Sequence, residues 1–302
     1  MQNELQIKDQ SGNSYNRVLP AVLSLFDGIS CGQIALQRAG IKVNEYYASE
    51  IDKEAISIAK NNFVNTKHIG SVTDVFAKDL PKIKLIMGGS PCQGFSSSGK
   101  GLNFEDPRSK LFFEFVRLIK ECEPEYFLLE NVKMKKEYQD IITEHLGVEP
   151  IEINSNLVSA QNRKRIYWTN IPNVTQPKDK RIFLKDIVED DYINSAAKRT
   201  RPLANEGKRK SLCLEVHGIE KSMCLVTVNL NNLLSPLPRG KYIDVGLNDY
   251  PNRVMNVSEM EKLQTVPVGY VGSISQNKAA KVLGNGWTVD VIAHILSFIP
   301  QS

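Results

Sequence analysis

The sequence predicts an α/β fold built on a parallel sheet. From residue 21 to about residue 171, short apolar runs alternate with amphipathic segments, which is typical of strands followed by crossover helices. With 302 residues, of which 41% are hydrophobic, the chain can bury a core of that size. Between residues 172 and 252 the alternation is lost, and we expect a small, irregular second domain there.

Turn and cap residues place the first elements. "AVLSLF" (21–26) is predicted to be a strand, and "GQIALQRAG" (32–40) a helix that ends at Gly40. "NEYYAS" (44–49) is the next strand, and "DKEAISIAKNNF" (52–63) the next helix. Asp52 is predicted to begin that helix, because an aspartate side chain can accept hydrogen bonds from the first backbone N–H groups.

The following elements continue the alternation. "KIKLIMGGS" (82–90) is predicted to be a strand, and residues 106–124 a helix with Asp106 as its N-cap, Pro107 in its first turn and Pro124 at its end. "EYFLLE" (125–130), "EPIEIN" (149–154) and "RIYWTNI" (165–171) are predicted strands. "SMCLVTVN" (222–229) resembles a short strand, "LLSPLPRGKY" (233–242) is rich in proline, and residues 257–267 and 288–299 form predicted helices. We therefore expect a flexible arm over 1–20, a main domain over 21–171 and 253–302, and the second domain over 172–252.

Composition limits the class of protein. No run approaches the roughly 20 apolar residues of a membrane span, and the first residues lack a hydrophobic signal core, so we expect a cytoplasmic protein. The five cysteines are scattered and form no C-x-x-C pair, which favours a reducing compartment and neither a disulfide framework nor a zinc site. The net charge of +4 permits nucleic-acid binding without requiring it. Residues 198–210 and 163–165 are basic clusters that suit either phosphate contacts or solvated loops.

Residues after the first strands suit a nucleoside-bearing cofactor. Gly28 and Gly32 follow the first strand, where the backbone can approach a ligand closely, although the pattern is not G-x-G-x-x-G. Glu50 ends the next strand 23 positions after Asp27, close to the spacing of about 20 at which an acid binds ribose hydroxyls in such folds. Asp74 follows a third strand-like run and could accept a hydrogen bond from an adenine amino group.

Cys92 stands where the strand 82–90 ends, at the edge of an open α/β sheet where ligands bind. Ser90 precedes Pro91 and is therefore held extended. Cysteine is a strong nucleophile near neutral pH, and the glycine- and serine-rich loop after it suits closure over a substrate. The other cysteines are predicted to be small core residues.

A neighbouring acid and two arginines complete the candidate site. Glu130 ends the adjacent strand and is a candidate proton donor to an electron-poor ring. Gln161, Arg163 and Arg165 alternate in an extended segment, so we expect them on one side. Two arginines there suit an anionic substrate or a carbonyl oxygen.

Five motifs in linear order resemble the cytosine 5-methyltransferases that act on DNA and use S-adenosylmethionine. They are "LFDGISCG", "GGSPCQGFS", "LLENV", "QNRKRIYW" and "GNGWTV". The resemblance implies a Rossmann-like methyltransferase sheet with helices on both faces, and residues 172–252 as a target-recognition domain. It is greatest to bacterial and phage members, with some likeness to the eukaryotic de novo methyltransferases.

The resemblance also implies roles for single residues. Cys92 would add to carbon 6 of a flipped cytosine, Glu130 would act at ring nitrogen 3 and the amino group, and Arg165 would contact the base carbonyl with support from Gln161 and Arg163. Arg253 and Glu259 would organise the recognition domain. The implied cofactor-binding residues are Phe26, Asp27, Gly28, Gly32, Glu50, Asp74, Pro91, Asn285 and Trp287. The implied DNA-contacting residues are Ser96, Lys100, Arg108, Arg163, Lys208, Arg209, Lys210 and Arg239.

The resemblance implies binding partners for the protein, and two alternative functions remain open. Double-stranded DNA is the expected partner, a cognate restriction endonuclease a further candidate, and we expect a monomer with no metal and no membrane association. A tRNA cytosine methyltransferase is an alternative, although that branch has a second proline where Ser90 stands. A catalytically inactive DNA-binding regulator is another, against which the presence of Cys92, Glu130 and Arg165 counts.

Overall fold

The computed structural model describes residues 7–8, 14–90, 107–202, 210–217, 220–228, 232–243 and 250–301. Its strands are β1 Ile7–Lys8, β2 Ser14–Tyr15, β3 Arg17–Leu25, β4 Ile41–Ser49, β5 Lys67–Gly70, β6 Leu85–Gly88, β7 Tyr126–Val132, β8 Ile151–Asn154, β9 Lys164–Thr169, β10 Asn194–Pro202, β11 Lys210–Val216, β12 Leu233–Ser235, β13 Gly240–Ile243 and β14 Arg253–Val254. Its α-helices are α1 Cys31–Arg38, α2 Lys53–Asn62, α3 Pro107–Cys122, α4 Lys136–Leu146, α5 Val257–Gln264, α6 Gln276–Asn285 and α7 Val289–Leu296.

The chain forms two compact units, one of residues 1–153, 164–176 and 289–302 and the other of residues 154–163 and 177–288. The boundaries of these units differ from those of the domains expected from the sequence. Residues 253–288, which we expected in the main domain, belong to the second unit. The assignment of residues 172–252 to target recognition stays a prediction.

The first unit contains a large mixed sheet with the strand order β5–β4–β3–β6–β7–β9–β8. The pairs from β5 through β7 are parallel, and β9 runs antiparallel to β7. This confirms the predicted α/β fold. The strand order reverses between β3 and β6, which is the place where open α/β sheets bind ligands at the carboxyl ends of their strands.

The core of this unit packs α3 against the sheet. Phe112, Phe115 and Leu118 of α3 are buried with Leu23 and Trp168 of the strands, as the helical spacing of its apolar residues predicted. Burying one such side chain contributes about 1.5–3 kcal/mol. The predicted cap of α2 is also confirmed, because the Asp52 side chain accepts hydrogen bonds from the N–H groups of Glu54 and Ala55. Helices α4 and α6 were not predicted.

The second unit is more regular than the sequence indicated. It contains an antiparallel sheet with the order β13–β11–β10–β12–β14, and the first part of the basic segment 198–210 lies on β10. The strand predicted at 222–229 is wrong over its described residues, 222–228. Side chains take the place of a backbone ladder there: Leu225 N–H donates to Oε1 of Gln161, and Val226 N–H donates to Oδ1 of Asn232.

Candidate active site

The carboxyl ends of four parallel strands form one edge of the large sheet. The strand registers align Ser49, Leu25, Gly88 and Leu129 across β4, β3, β6 and β7. Because β9 is antiparallel to β7, its first residues reach the same edge. The loops that follow these strands therefore carry the candidate site.

The loop after β3 has an unusual backbone. Phe26 has a φ of 57° and Gly28 a φ of 59°, both in the left-handed region. This conformation costs a residue with a side chain about 1–2 kcal/mol, and such strain is concentrated at functional sites. A Cβ atom added to Gly28 would meet nothing within 4 Å, so the space beside this backbone is open. Gly32 is buried in the first turn of α1.

Glu50 fixes this loop to the end of β4. Its Oε2 accepts a hydrogen bond from the N–H of Gly28 at 2.8 Å, and its Oε1 accepts from the N–H groups of Ile51 and Asp52 at 2.7 and 2.8 Å. A carboxylate offers about four lone-pair directions. The three backbone bonds orient Glu50 and leave it acceptor capacity for a ligand hydroxyl.

Asp27 points into the protein. Its Oδ1 accepts from the Tyr46 hydroxyl at 2.7 Å, and its Oδ2 accepts from the Ser30 hydroxyl. Burial raises the pKa of Asp27 to about 6, although hydrogen bonds from Ser30 and Tyr46 work in the opposite direction. Asp27 therefore shapes the loop from within.

Asp74 and two apolar side chains are exposed near the neighbouring strand ends. Asp74 ends the 3-10 helix Val72–Asp74, and one carboxylate oxygen accepts from the Thr73 hydroxyl at 3.2 Å. Ile51, directly after Glu50, is 73% exposed, and Phe76 is 46% exposed. The sequence analysis named neither Ile51 nor Phe76, and Phe76 has the charged groups of Lys78 and Arg117 over its ring.

Glu130 and Arg165 form an ion pair at the same edge of the sheet. The Nε of Arg165 lies 2.9 Å from Oε1 of Glu130, and their side chains are 14% and 12% exposed. Arg165 is opposite Val132 and Glu130 is opposite Tyr167, so the pair is diagonal across β7 and β9. The structure thus brings together two of the predicted catalytic residues.

Gln161 and Arg163 lie in the second unit and are buried there. The Gln161 side chain donates to the carbonyl of Leu263 and to Oε1 of Gln264, at 2.6 and 3.0 Å. Arg163 is 3% exposed. Its guanidinium contacts are the carbonyls of Leu225, Gly284 and Gly286 and the Sγ of Cys224.

These contacts correct the expected arrangement. Gln161 and Arg163 have internal partners, whereas the basic cluster had suggested phosphate contacts for Arg163 and the alternation an anionic substrate or a carbonyl oxygen for the two arginines. Strand β9 begins at Lys164, so the extended pattern does not run unbroken through the two arginines. Cys31, Cys122 and Cys213 are buried as expected, whereas Cys224 is partly exposed.

Other predicted site residues are spread over both units. In the second unit Asn285 and Arg239 are exposed and Trp287 is buried. Arg253 makes two hydrogen bonds to Glu259 at 2.7 and 2.6 Å and two to Asp190 at 2.7 and 2.9 Å. Cys92, Pro91, Ser96, Lys100, Lys208 and Arg209 lie outside the described residues, and Arg108 and Lys210 are described by their backbone positions in α3 and β11.

The described part of the chain contains neither a group of side chains suited to a metal ion nor a membrane-spanning helix. No three His, Cys, Asp or Glu side chains there are grouped to hold a metal ion. Among the described helices, none has both the length and the apolar composition needed to cross a membrane.

Comparison with known proteins gives the family. The model of C-5 cytosine-specific DNA methylases matches residues 21–212. The type II methyltransferase M1.ScrFI of Lactococcus lactis subsp. cremoris is 30% identical, over 90% of this chain and 75% of its own length. The orphan methyltransferase M.Rho11sI of Bacillus phage rho11s is 34% identical, over 88% of this chain and 52% of its own. The solved structure of the Entamoeba histolytica methyltransferase EhMeth superposes with a TM-score of 0.70 at 16% identity, covering 93% of this chain and 98% of that one. The chain belongs to the family of C-5 cytosine-specific DNA methylases.

Proposed function

We propose that this protein transfers a methyl group from S-adenosylmethionine to carbon 5 of a cytosine that is flipped out of double-stranded DNA. The observation that carries the proposal is the Glu130–Arg165 pair, held at the carboxyl edge of the sheet by β7 and β9. Cys92 follows the adjacent strand β6 by four residues. Membership in the family supports both the reaction and the base.

The residues after β3, β4 and β5 suit a nucleoside-bearing sulfonium. Glu50 offers an oriented carboxylate for ribose hydroxyls, and Asp74 offers an exposed one for an adenine amino group. Ile51 supplies an exposed apolar surface beside them, and Gly28 leaves open space next to its backbone. S-adenosylmethionine, when bound, supplies an electrophilic methyl group. Asn285 and Trp287 keep their proposed part in cofactor binding from the family resemblance.

The chemistry explains why a thiol and an acid are needed. Carbon 5 of cytosine is a poor nucleophile, so the Cys92 thiolate adds to carbon 6 and the ring electrons move toward nitrogen 3. Glu130 stabilises the ring at nitrogen 3 and the amino group, and Arg165 holds the Glu130 carboxylate and contacts the base carbonyl. Carbon 5 then takes the methyl group, and the donor sulfonium becomes a neutral thioether. Solvent water takes the carbon 5 proton, the electrons of that C–H bond re-form the double bond between carbon 5 and carbon 6, and the Cys92 sulfur leaves as a thiolate. Because these atoms are buried in a stacked duplex, the base has to be flipped out.

The basic residues of the second unit suit contacts with DNA phosphates. Lys198 and Arg199 lie on β10, and Arg239 is exposed just before β13. Ser96, Lys100, Arg108, Lys208, Arg209 and Lys210 are proposed contacts from the sequence. We propose a monomeric enzyme that works either beside a cognate restriction endonuclease or alone. Both settings are considered because one relative is named a type II methyltransferase and another an orphan methyltransferase.

Bisulfite sequencing of plasmid DNA from cells that express this protein tests the function. A Cys92→Ser variant is the matched control. We expect cytosines within one short motif to be protected in cells with the intact protein and unprotected in the control. Unmodified DNA in both would contradict the proposal, and protection of tRNA cytosines instead would favour the RNA-directed alternative.

A further inference from the structure

We infer that Asn131 is a positioning residue for the nucleophile, because it holds Ser90 at the point where the chain leaves β6 toward Cys92. The inference rests on the proposed function, in which Cys92 attacks the base. Nothing in the sequence motifs assigns a part to either Ser90 or Asn131 beyond their places beside Pro91 and Glu130.

The two side chains are bonded across neighbouring strands. The Asn131 amide nitrogen donates to the Ser90 hydroxyl at 3.2 Å. The Asn131 amide oxygen accepts from the N–H of Val132 at 2.8 Å, which fixes the orientation of the amide group. Ser90 is 5% exposed and Asn131 is 1% exposed. A buried bond of this kind is costly to break, because each polar group would be left without a partner.

The bond extends the strand pairing beyond its last backbone pair. The parallel register of β6 and β7 ends at Gly88 opposite Leu129. Ser90 lies two residues beyond the end of β6, and Asn131 lies two residues beyond Leu129 within β7. The hydroxyl and amide therefore continue the alignment of β6 and β7 up to the residue that precedes Pro91.

The backbone at the end of β6 is closely packed, so the position from which the chain continues to Ser90 is fixed. A Cβ atom added to Gly88 would lie 2.8 Å from the Leu25 carbonyl oxygen and 3.2 Å from the Phe115 ring. Ser90 is restricted to extended backbone by Pro91. The Ser90–Asn131 bond then fixes where this extended residue lies relative to β7.

Strand β7 positions two parts of the proposed site through its consecutive residues Glu130 and Asn131. Neighbouring residues of a strand point to opposite faces. Glu130 on one face pairs with Arg165, and Asn131 on the other holds Ser90. One rigid strand thus sets both the acid and the start of the nucleophile loop. Displacing a reacting atom by about 1 Å can cost about 100-fold in rate.

The test measures formation of the covalent adduct under single-turnover conditions. The substrate is plasmid-length duplex DNA that carries 5-fluorodeoxycytidine in place of deoxycytidine, with saturating S-adenosylmethionine. Fluorine at carbon 5 cannot leave as a proton does, so the enzyme stays bound to the DNA through Cys92. The variants are Ser90→Ala, Ser90→Thr, Asn131→Leu and the double variant Ser90→Ala with Asn131→Leu.

We expect Ser90→Ala and Asn131→Leu each to slow adduct formation about 10-fold or more at a temperature well below unfolding, with cofactor affinity unchanged. Ser90→Thr keeps a hydroxyl and should recover a rate within about threefold of wild type. The double variant should be no slower than the slower single variant, because both changes remove one bond. A merely structural role would lower Tm and leave the adduct rate below Tm unchanged.

Two outcomes would overturn the inference. The first is adduct formation by Ser90→Ala at the wild-type rate, and the second is equal rates for the alanine and threonine variants. Either would show that the Ser90–Asn131 bond does not position the nucleophile. Failure of the proposed function is distinct: wild-type protein would form no more adduct than Cys92→Ser, and both the function and this inference would fall.

Discussion

The Nε of Arg165 lies 2.9 Å from Oε1 of Glu130, diagonally across the antiparallel strands β7 and β9. Both side chains are largely buried yet at the sheet edge where ligands bind in this class of fold. Two residues earlier in the chain, Arg163 is buried among backbone carbonyls of the second unit. The two arginines of one motif therefore have different tasks, and substitution should separate them.

Arg165→Lys should lower the rate of methyl transfer with little loss of stability. A lysine keeps the charge but has no planar guanidinium to hold Glu130 through Nε while other N–H groups reach the base. We expect the single-turnover rate on DNA to fall about 10- to 100-fold. Lys164→Ala is the matched control, because Lys164 is the exposed neighbour of Arg165. Equal rates for Arg165→Lys and the control would argue against a role for Arg165 in the reaction.

Arg163→Lys should instead destabilise the protein. The Arg163 guanidinium donates to the carbonyls of Leu225, Gly284 and Gly286, at 3.1, 3.2 and 2.8 Å. A compact ammonium cannot reach all three, and each buried carbonyl that loses its donor costs about 1–3 kcal/mol. Urea unfolding should show a loss of at least about 2 kcal/mol. An unfolding midpoint equal to that of Lys164→Ala would show that the buried contacts do not contribute to stability.

The contrast between these arginines shows what the sequence could predict. Alternating residues of an extended segment share one side, so Gln161, Arg163 and Arg165 would lie on one side if β9 began at Gln161. The strand begins at Lys164, and the partners of Arg163 stand 62 and 121 positions further along the chain. Contacts at that separation leave no local signal.

Local signals were sufficient elsewhere. The positions of the strands in the large sheet, of α2 with its Asp52 cap and of α3 with its apolar face follow from periodicity and cap residues, because neighbours in sequence decide where each element lies. The antiparallel sheet of the second unit was missed because β10, which pairs with β11, carries basic residues in place of an apolar alternation. The Ser90–Asn131 bond, between residues 41 positions apart, was likewise beyond pattern analysis.

Glu50→Gln should weaken cofactor binding. The Glu50 carboxylate accepts from three backbone N–H groups, and an amide NH₂ in place of one oxygen would face at least one of these donors. The Gly28 loop should shift, and an acceptor for a ribose hydroxyl should be lost. We expect the Kd for S-adenosylmethionine, measured by calorimetry, to rise about 10-fold or more, equivalent to about 1.4 kcal/mol.

Glu45→Gln provides the control for that measurement. Glu45 lies on the same strand, β4, and pairs with Lys67 away from the strand end. Its substitution should leave the Kd for the cofactor unchanged. If Glu50→Gln bound the cofactor as tightly as Glu45→Gln, the proposed ribose contact would be refuted.

Asp27 should make stability depend on pH between about 4 and 6. Burial raises its pKa from 3.8 in a free side chain to about 6 in the folded protein. Between these values the folded state binds a proton that the unfolded state does not, so stability is highest below the lower pKa and falls as pH rises through the upper one. Asn keeps the shape and can accept from Tyr46 without ionising. Urea unfolding at a series of pH values should therefore show wild type losing up to about 3 kcal/mol relative to Asp27→Asn between pH 4 and pH 7. If the difference in unfolding free energy between the two proteins stayed constant over that range, Asp27 would have the same pKa in the folded and unfolded states. Water would then have to solvate its carboxylate in the folded protein.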